Sequence, residues 1–218
     1  LGDKHVVDDA DGFELVDVLG QGSFGTAELR RVSGSDGSSD GSFLVVKRVP
    51  LRTVRDWQVG QLLGEVRNGA AMQHRYIVRL FGAYLSDTTG SFCMVLQYAA
   101  GGTLEDTIRF QRARGPFMIE FVTTWLSQLA SAVEYMHTRR VLHRDISTSN
   151  IFLSFYGNVL LGDLGLSRQL AERTRVGTQL GTPPYMPPER VQGEPYGFGC
   201  DVWAIGVVLY EMLALRLP

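Results

Sequence analysis

Cysteine is scarce in this chain of 218 residues: only Cys93 and Cys200, far apart and without metal-ligand spacing. That excludes a disulfide miniprotein and leads us to expect two buried thiols in a reducing compartment. A charge excess is missing too. Lys and Arg number 21 against 23 Asp and Glu, a formal net charge of −2. Such a chain has no global electrostatic footprint for nucleic acid, and no nucleic-acid partner is expected. Long apolar runs are absent. The most apolar stretch, Val202 to Leu215, is interrupted by Glu211 and falls short of the ~20 residues that span a bilayer. It reads as a core helix, and no membrane partner is expected. No basic start followed by an apolar run marks a signal peptide, and the first residue is Leu1 rather than Met, as in a chain cut from something longer. What is present is 44% apolar and 20% charged residues. That is enough to bury a sizeable core in one large domain or two small lobes.

The first third is strand-like and punctuated by glycine. Phe13–Gly20 and Ala27–Val32 predict two strands joined by a glycine-rich turn. Residues 33–42 contain only Ser, Gly and Asp and predict a flexible hairpin loop. Phe43–Val49 is a strongly apolar strand with one lysine inside it. Residues 54–73 read as a helix weakened by Gly60, Gly64 and Gly69, each glycine costing ~1 kcal/mol relative to alanine. Ile77–Leu85 and Phe92–Tyr98 predict two further strands. After Ala99-Ala100-Gly101-Gly102 the chain becomes mainly helical. Residues 120–138 carry Phe121, Val122, Trp125, Leu126, Leu129, Ala132, Val133 and Met136 at helical spacing, so these aromatics belong to a core. Asn158–Leu161 and Ile151–Leu153 suggest a short strand pair, and Asp201–Leu215 is apolar around most of its circumference, as in a fully buried helix. The outline is a small β-rich lobe, a hinge near residues 97–100 and a larger helical lobe.

Three features carry chemistry. Gly20-Gln21-Gly22-Ser23-Phe24-Gly25 lets backbone N–H groups approach phosphates closely. A dinucleotide-binding turn would lead into a helix; this one continues as strand, which favours a phosphate-covering hairpin over it, while a plain glycine turn stays open. Lys47 stands alone in an apolar strand, where a lysine needs a partner or lies at an edge; Glu65 on the following helix is the candidate partner. His143-Arg144-Asp145-Ile146-Ser147-Thr148-Ser149-Asn150 is followed, thirteen residues after Asn150, by Asp163-Leu164-Gly165, then by Gly181-Thr182-Pro183 and Pro187-Pro188-Glu189, and by Asp201-Val202-Trp203. Two acids and an amide at this spacing, after a phosphate loop and a strand lysine, form a nucleotide–Mg²⁺ constellation, because Mg²⁺ takes a few carboxylate or carbonyl oxygens together with phosphate oxygens. A nearby carboxylate can accept a hydroxyl proton.

From about Phe13 to its end the chain resembles a eukaryotic protein kinase domain of the serine/threonine type. It is most similar to the NIMA-related kinases, through the residues at 22–27, 143–146, 150–153 and 161–165. The resemblance implies an α+β, bilobal kinase fold over 13–218, with an N-lobe at 13–96, a hinge at 97–100 and a partial C-lobe from 101. It implies ATP and Mg²⁺ as cofactors and a protein Ser/Thr hydroxyl as acceptor. Gly20, Gln21, Gly22, Ser23, Phe24 and Gly25 would then cover the ATP phosphates, with Ala27 and Val45 roofing adenine. The usual valine and alanine are exchanged there, so the roof volume is roughly kept. Lys47 would hold the α- and β-phosphates and pair with Glu65. Gln97 and Ala99 would offer backbone groups to adenine, Leu96 would be the gatekeeper, and Phe152 would complete the nucleotide set. Asp145 would be the catalytic base, supported by Thr182; Asn150 and Asp163 would hold Mg²⁺; Glu189 would anchor the activation segment. Cytoplasmic placement, with cytoskeletal or centrosomal association, follows from the same resemblance.

Several positions depart from the family pattern. Ser147 stands where these kinases carry a lysine that reaches the transferred phosphate, and loss of such a donor typically costs ~10²–10³ in kcat. A weakly active or pseudokinase-like nucleotide-binding module is therefore the alternative reading. Gly69 occupies a place usually filled by a large apolar side chain against Leu80 and Leu164. The expectation is an under-packed helix, a Lys47–Glu65 pair only partly formed, and a gain in basal activity for Gly69→Leu. Thr103 replaces an acid that often binds ribose, which implies weaker ATP binding. Thr178, among Thr174, Thr178 and Thr182, best matches the activation phosphosite, and its phosphate would pair with Arg144; a partner or a kinase acting on Thr178 is the expected activator. The chain stops at Pro218, just past the last apolar helix. The expectation is a catalytic core without its last helices, an apolar face of that helix open to water, and rescue of solubility by a chain extended past Pro218.

Overall fold

The computed structural model describes residues 13–22, 25–33, 39–54, 56–164, 168–169 and 181–218. It divides into two units, one of residues up to Ala71 together with Arg79–Tyr98, the other of Met72–Val78 together with Ala99–Pro218.

The first unit is built on a five-stranded antiparallel sheet. Strand β1 (Phe13–Gly22) pairs with β2 (Gly25–Ser33), and β2 with β3 (Ser39–Pro50). Helix α1 (Asp56–Ala71) follows, then β4 (Leu80–Ser86) and β5 (Ser91–Gln97), in the order β1-β2-β3-β5-β4. Alternation divides the faces. Leu44, Val46, Cys93 and Val95 point to one side and form a small buried core with Tyr84. Glu28, Arg30 and Arg48 are on that side as well, where Glu28 receives both guanidinium groups. Ala27, Val45, Lys47 and Leu96 point to the other side. Two register shifts, between Leu15 and Asp17 and between Val18 and Gly20, bend β1.

The residues expected to form one long flexible loop are partly strand. Ser39–Ser42 belong to β3, with Ser33 opposite Ser39, because a hairpin ladder propagates through Ser and Gly as long as its backbone partners continue. Strand β4 also starts later than expected. Ile77 instead bridges to Leu161, and Val78 donates to the Leu161 carbonyl at 2.8 Å, so these apolar residues serve the second unit.

The second unit is mainly helical. Helices α2 (Leu104–Gln111) and α3 (Ile119–Thr138) precede the short strands β6 (Val141–Leu142), β7 (Ile151–Leu153), β8 (Val159–Leu161) and β9 (Arg168–Gln169). The β6 strand pairs with β9 and β7 with β8. Helices α4 (Pro188–Val191) and α5 (Gly199–Ala214) complete the unit. Its core joins Val122, Leu129, Val133 and Met136 of α3 to Ile151 and Leu161 of the β7–β8 pair and to Val208 and Met212 of α5.

The α5 helix corrects a sequence expectation. It is not buried all round: Cys200, Asp201, Ala204, Val207, Val208, Glu211 and Met212 face the core, whereas Val202, Trp203, Tyr210 and Leu213 form an exposed apolar stripe. An exposed apolar face on this helix is the other half of what the sequence implies. Both cysteines are buried, as expected. No helix among the described residues is long and apolar enough to cross a membrane.

Candidate active site

In the first unit the glycine-rich segment is the β1–β2 turn. Gly20 pairs with Ala27, Gln21 with Thr26 and Gly22 with Gly25; Ser23 and Phe24 lie outside the described residues. Gly25 has φ +148°, and a Cβ there would collide with the Arg48 carbonyl. Only glycine closes this turn against β3. Ala27 stands opposite Lys47, Lys47 opposite Met94, and Val45 opposite Leu29 and Leu96. The expected roof pair, the lysine and the gatekeeper therefore share one face of the sheet.

Lys47 Nζ donates to Glu65 Oε1 at 2.8 Å, with the two side chains 25% and 11% exposed. The pair is formed, contrary to the expectation of a partial one. The premise at Gly69 fails too. Gly69 is buried, and a Cβ there would stand 3.0 Å from Leu80 Cδ2 and 3.2 Å from Leu80 Cβ. The glycine is not a gap in the packing: it lets the α1 backbone lie directly on β4 and so places Glu65 one turn earlier. Gln97 donates its N–H to the Arg79 carbonyl at 2.9 Å, so that amide is already engaged and is not among the groups Gln97 could offer a base.

In the second unit the loop from His143 to Asn150 is held from several directions. Asp145 is the centre. Its Oδ1 accepts from both the N–H and the hydroxyl of Thr182, each at 2.9 Å. Its Oδ2 accepts from Asn150 Nδ2 at 3.0 Å, and the same amide donates to the Asp145 carbonyl at 2.8 Å. With the Asn150 amino group so engaged, its Oδ1 is the side-chain atom left to accept. The adjacent Arg144 has φ +75°, a region a bulky residue occupies only when its surroundings enforce it. Asp201 does so, accepting from the amides of His143 and Arg144, each at 2.9 Å, and bonding to His137 Nε2 at 2.8 Å. Burial acts to raise the Asp201 pKa, but the hydrogen bond from His137 and those from the Arg144 and His143 amides outweigh it and hold the carboxyl below its usual range. His143 Nδ1 accepts from the Asp145 N–H, which places the ring proton on Nε2, where it meets the Gly162 carbonyl at 2.9 Å.

The β7–β8 hairpin brings Asn150 and Asp163 together from its two ends, with Gly162 N–H donating to the Asn150 carbonyl at 2.9 Å. Three bonds from α3 fix the hairpin: Trp125 Nε1 donates to Gly157 O, Gln128 Nε2 donates to Asn158 Oδ1, and Gln128 Oε1 accepts from the Val159 amide. Asp163 has φ +54° and is exposed. The donors that Asn150 and Asp163 present are hard oxygens, which fit Mg²⁺ when phosphate and water complete its shell. No group of three or more His, Cys, Asp or Glu side chains suited to a metal occurs among the described residues. Phe152 lies on β7 and bridges to Thr103. Thr103 caps α2, accepting from the Asp106 amide at 3.0 Å, a structural task that the family pattern alone does not suggest. The Ala99 carbonyl accepts from the Gly102 N–H at 3.2 Å, which leaves the Ala99 amide as the group it could offer. Thr174 and Thr178 lie outside the described residues.

The protein kinase domain family matches residues 13–218. Among similar proteins, the serine/threonine-protein kinase Nek9 of Mus musculus is 38% identical over 200 residues, covering 91% of this chain and 20% of its own length. The probable serine/threonine-protein kinase nek2 of Dictyostelium discoideum is 34% identical over 213 residues, 95% of this chain and 50% of its own. The serine/threonine-protein kinase nekl-2 of Caenorhabditis elegans is 33% identical over 215 residues, 94% and 58%. The chain thus spans between a fifth and somewhat over half the length of these relatives.

Proposed function

This chain belongs to the protein kinase family, and from that premise we propose that it transfers the γ-phosphate of ATP to a serine or threonine hydroxyl of a protein. What carries the reading is the Asp145 carboxylate, held at both oxygens by Thr182 and Asn150. A base so fixed needs no reorganisation to meet an incoming hydroxyl, and takes its proton as the oxygen attacks phosphorus. In the first unit the Gly20–Gly25 turn would cover the phosphates, and Lys47, fixed by Glu65, would meet the α- and β-phosphates. Ala27, Val45, Leu96 and the Gln97 carbonyl are what the first unit would offer the base, and the Ala99 amide and Phe152 are what the second unit would offer a nucleotide. Asn150 and Asp163 would hold Mg²⁺, which when bound neutralises phosphate charge. Arg144 is the candidate regulatory residue, buried and with an Nε that has no hydrogen-bond partner among the described residues; a phosphate on Thr178 would supply one. Cytoplasmic placement with cytoskeletal or centrosomal association goes with this reading.

A phosphorylation assay with Mg²⁺-ATP and Ser/Thr peptides, run on the full-length protein beside Asp163→Ala, tests it. Transfer that disappears in the variant is the expected result. Ser147 is fully buried, its Oγ 2.9 Å from Ser149 Oγ, and neither Thr148 nor Ser149 supplies a basic side chain in place of the family lysine. That favours the second reading, a pseudokinase-like module. Thermal stabilisation by ATP without phosphate transfer would select it.

A further inference from the structure

Helix α5 grips the loop around Asp145 at two places. Asp201, in its first turn, takes the amides of His143 and Arg144. Glu211, ten residues on and so roughly 15 Å along the axis, reaches the other end of the loop at Thr148. Thr148 is 1% exposed and Glu211 4%. Tyr185 joins them: its hydroxyl donates to Glu211 Oε2 at 2.5 Å, and Thr148 Oγ1, 2.8 Å from that hydroxyl and 3.1 Å from Glu211 Oε2, shares its single proton between the two. Burial, and after it the bond to Glu211, push the Tyr185 phenol above its ordinary value, so it remains a donor. Three buried oxygens satisfy one another here, and such closed networks lose cooperatively when one member goes.

Tyr185 is also tied to the base. It ends the 3₁₀ turn Pro183–Tyr185, and its amide donates to the Thr182 carbonyl at 3.0 Å. Two prolines with fixed φ stiffen this turn. It therefore acts as a bracket attached to the loop twice, by Thr182 on Asp145 and by Tyr185 on Thr148. With the first attachment alone the bracket pivots about the carboxylate; the second stops the pivot. The Thr148 carbonyl adds a third anchor, accepting from the Glu105 amide of α2 at 3.0 Å.

We propose that Thr148 is a positioning residue for phosphoryl transfer, its hydroxyl, bound to Tyr185 and Glu211, setting the orientation in which Thr182 and Asn150 present the Asp145 carboxylate. The inference rests on Asp145 acting as the base. Its test is steady-state kinetics of the full-length protein with Mg²⁺-ATP and a Ser/Thr peptide, comparing Thr148→Val, Thr148→Ser, Tyr185→Phe and Asp145→Asn. Thr148→Val keeps the volume and loses the hydroxyl. Its kcat is expected to fall about tenfold, the rate equivalent of one lost buried hydrogen bond, with KM for ATP unchanged within about twofold. Thr148→Ser restores most of the turnover, and the double variant with Tyr185→Phe is no slower than Tyr185→Phe alone. Wild-type turnover in Thr148→Val, beside an inactive Asp145→Asn, overturns the role of Thr148 and leaves the kinase reading intact. Equal losses in Thr148→Val and Thr148→Ser, with matching drops in melting temperature, also overturn it, as a packing effect. Wild-type turnover in Asp145→Asn removes the premise and the inference together. Should Thr148→Val not fold, Tyr185→Phe decides: a fall of about tenfold supports the inference and unchanged kcat overturns it.

Discussion

The three glycines of α1 predict opposite outcomes for the same substitution. A Cβ at Gly60 or Gly64 would meet nothing within 4 Å. Alanine there gains helix propensity without a packing cost, ~1 kcal/mol each. At Gly69 the same gain is opposed by contacts of 3.0 Å and 3.2 Å to Leu80 Cδ2 and Cβ. Rotating the Leu80 side chain relieves the first contact, but its Cβ is fixed by the β4 backbone and cannot move away. Overpacking of this kind costs ~1–3 kcal/mol, so Gly69→Ala comes out between neutral and ~2 kcal/mol destabilising. For a chain of this size ~1 kcal/mol shifts Tm by roughly 2–4 °C. Thermal denaturation of the full-length protein should therefore show Gly64→Ala melting a few degrees higher and Gly69→Ala at or below wild type. Gly69→Leu, with three further carbons, should melt lower again and lose activity through the displaced Glu65. If Gly69→Ala stabilises as much as Gly64→Ala, or Gly69→Leu raises basal activity, the close packing of α1 on β4 is refuted and the under-packed helix is restored.

Glu65→Gln removes the charged acceptor of Lys47, and kcat/KM should fall about 10–100-fold in steady-state kinetics, the range for a hydrogen bond to a charged group; an unchanged value would mean that Lys47 does not depend on it. Burial first, then the Arg75 and Arg139 charges, hold the His74 pKa below its ordinary value, while its ring stacks on Tyr135 and its Nδ1 accepts from the Tyr76 amide. A depressed pKa stabilises the fold above the unfolded value of ~6.5 and loses that contribution as pH falls through the folded one. Melting temperature should therefore drop on acidification below about pH 6.5, and less steeply in His74→Asn; parallel curves would exclude His74. Ser147→Lys should raise kcat for peptide phosphorylation by returning a donor to the transferred phosphate, and equal or lower turnover would show that the buried Ser147 site cannot aim one.

Features that depend on short-range order are legible in the sequence. The spacing of Asp145, Asn150 and Asp163 reads as chemistry because a loop, a hairpin and a turn bring these residues together with few intervening residues. The period-two alternation of β3 likewise puts Lys47, Val45 and, across the ladder, Ala27 on one face. What escapes a linear reading depends on approach from afar. Gly69 looks like a weak point along α1, and only the position of Leu80 turns it into a contact. Thr103 looks like a lost ribose ligand, and only the Asp106 amide above it makes it a helix cap. Thr148, Tyr185 and Glu211 are 37 and 26 residues apart in turn, and no periodicity links them. The composition of residues 39–42 speaks for a loop because it measures the inability to bury side chains and not the reach of a backbone ladder.

The two cysteines fall one to each unit, Cys93 in the sheet core and Cys200 at the start of α5, 0% and 2% exposed. Burial, and after it the Asp201 charge, push the Cys200 thiol up to about 12, so the thiolate that would react is almost absent from the folded chain. A thiol reagent can then label each cysteine only when the backbone around it opens. The native chain thus carries its own pair of opening clocks: mass-resolved labelling of Cys93 times the sheet, labelling of Cys200 times the helical unit, and a ligand that steadies one unit before the other would slow one clock first.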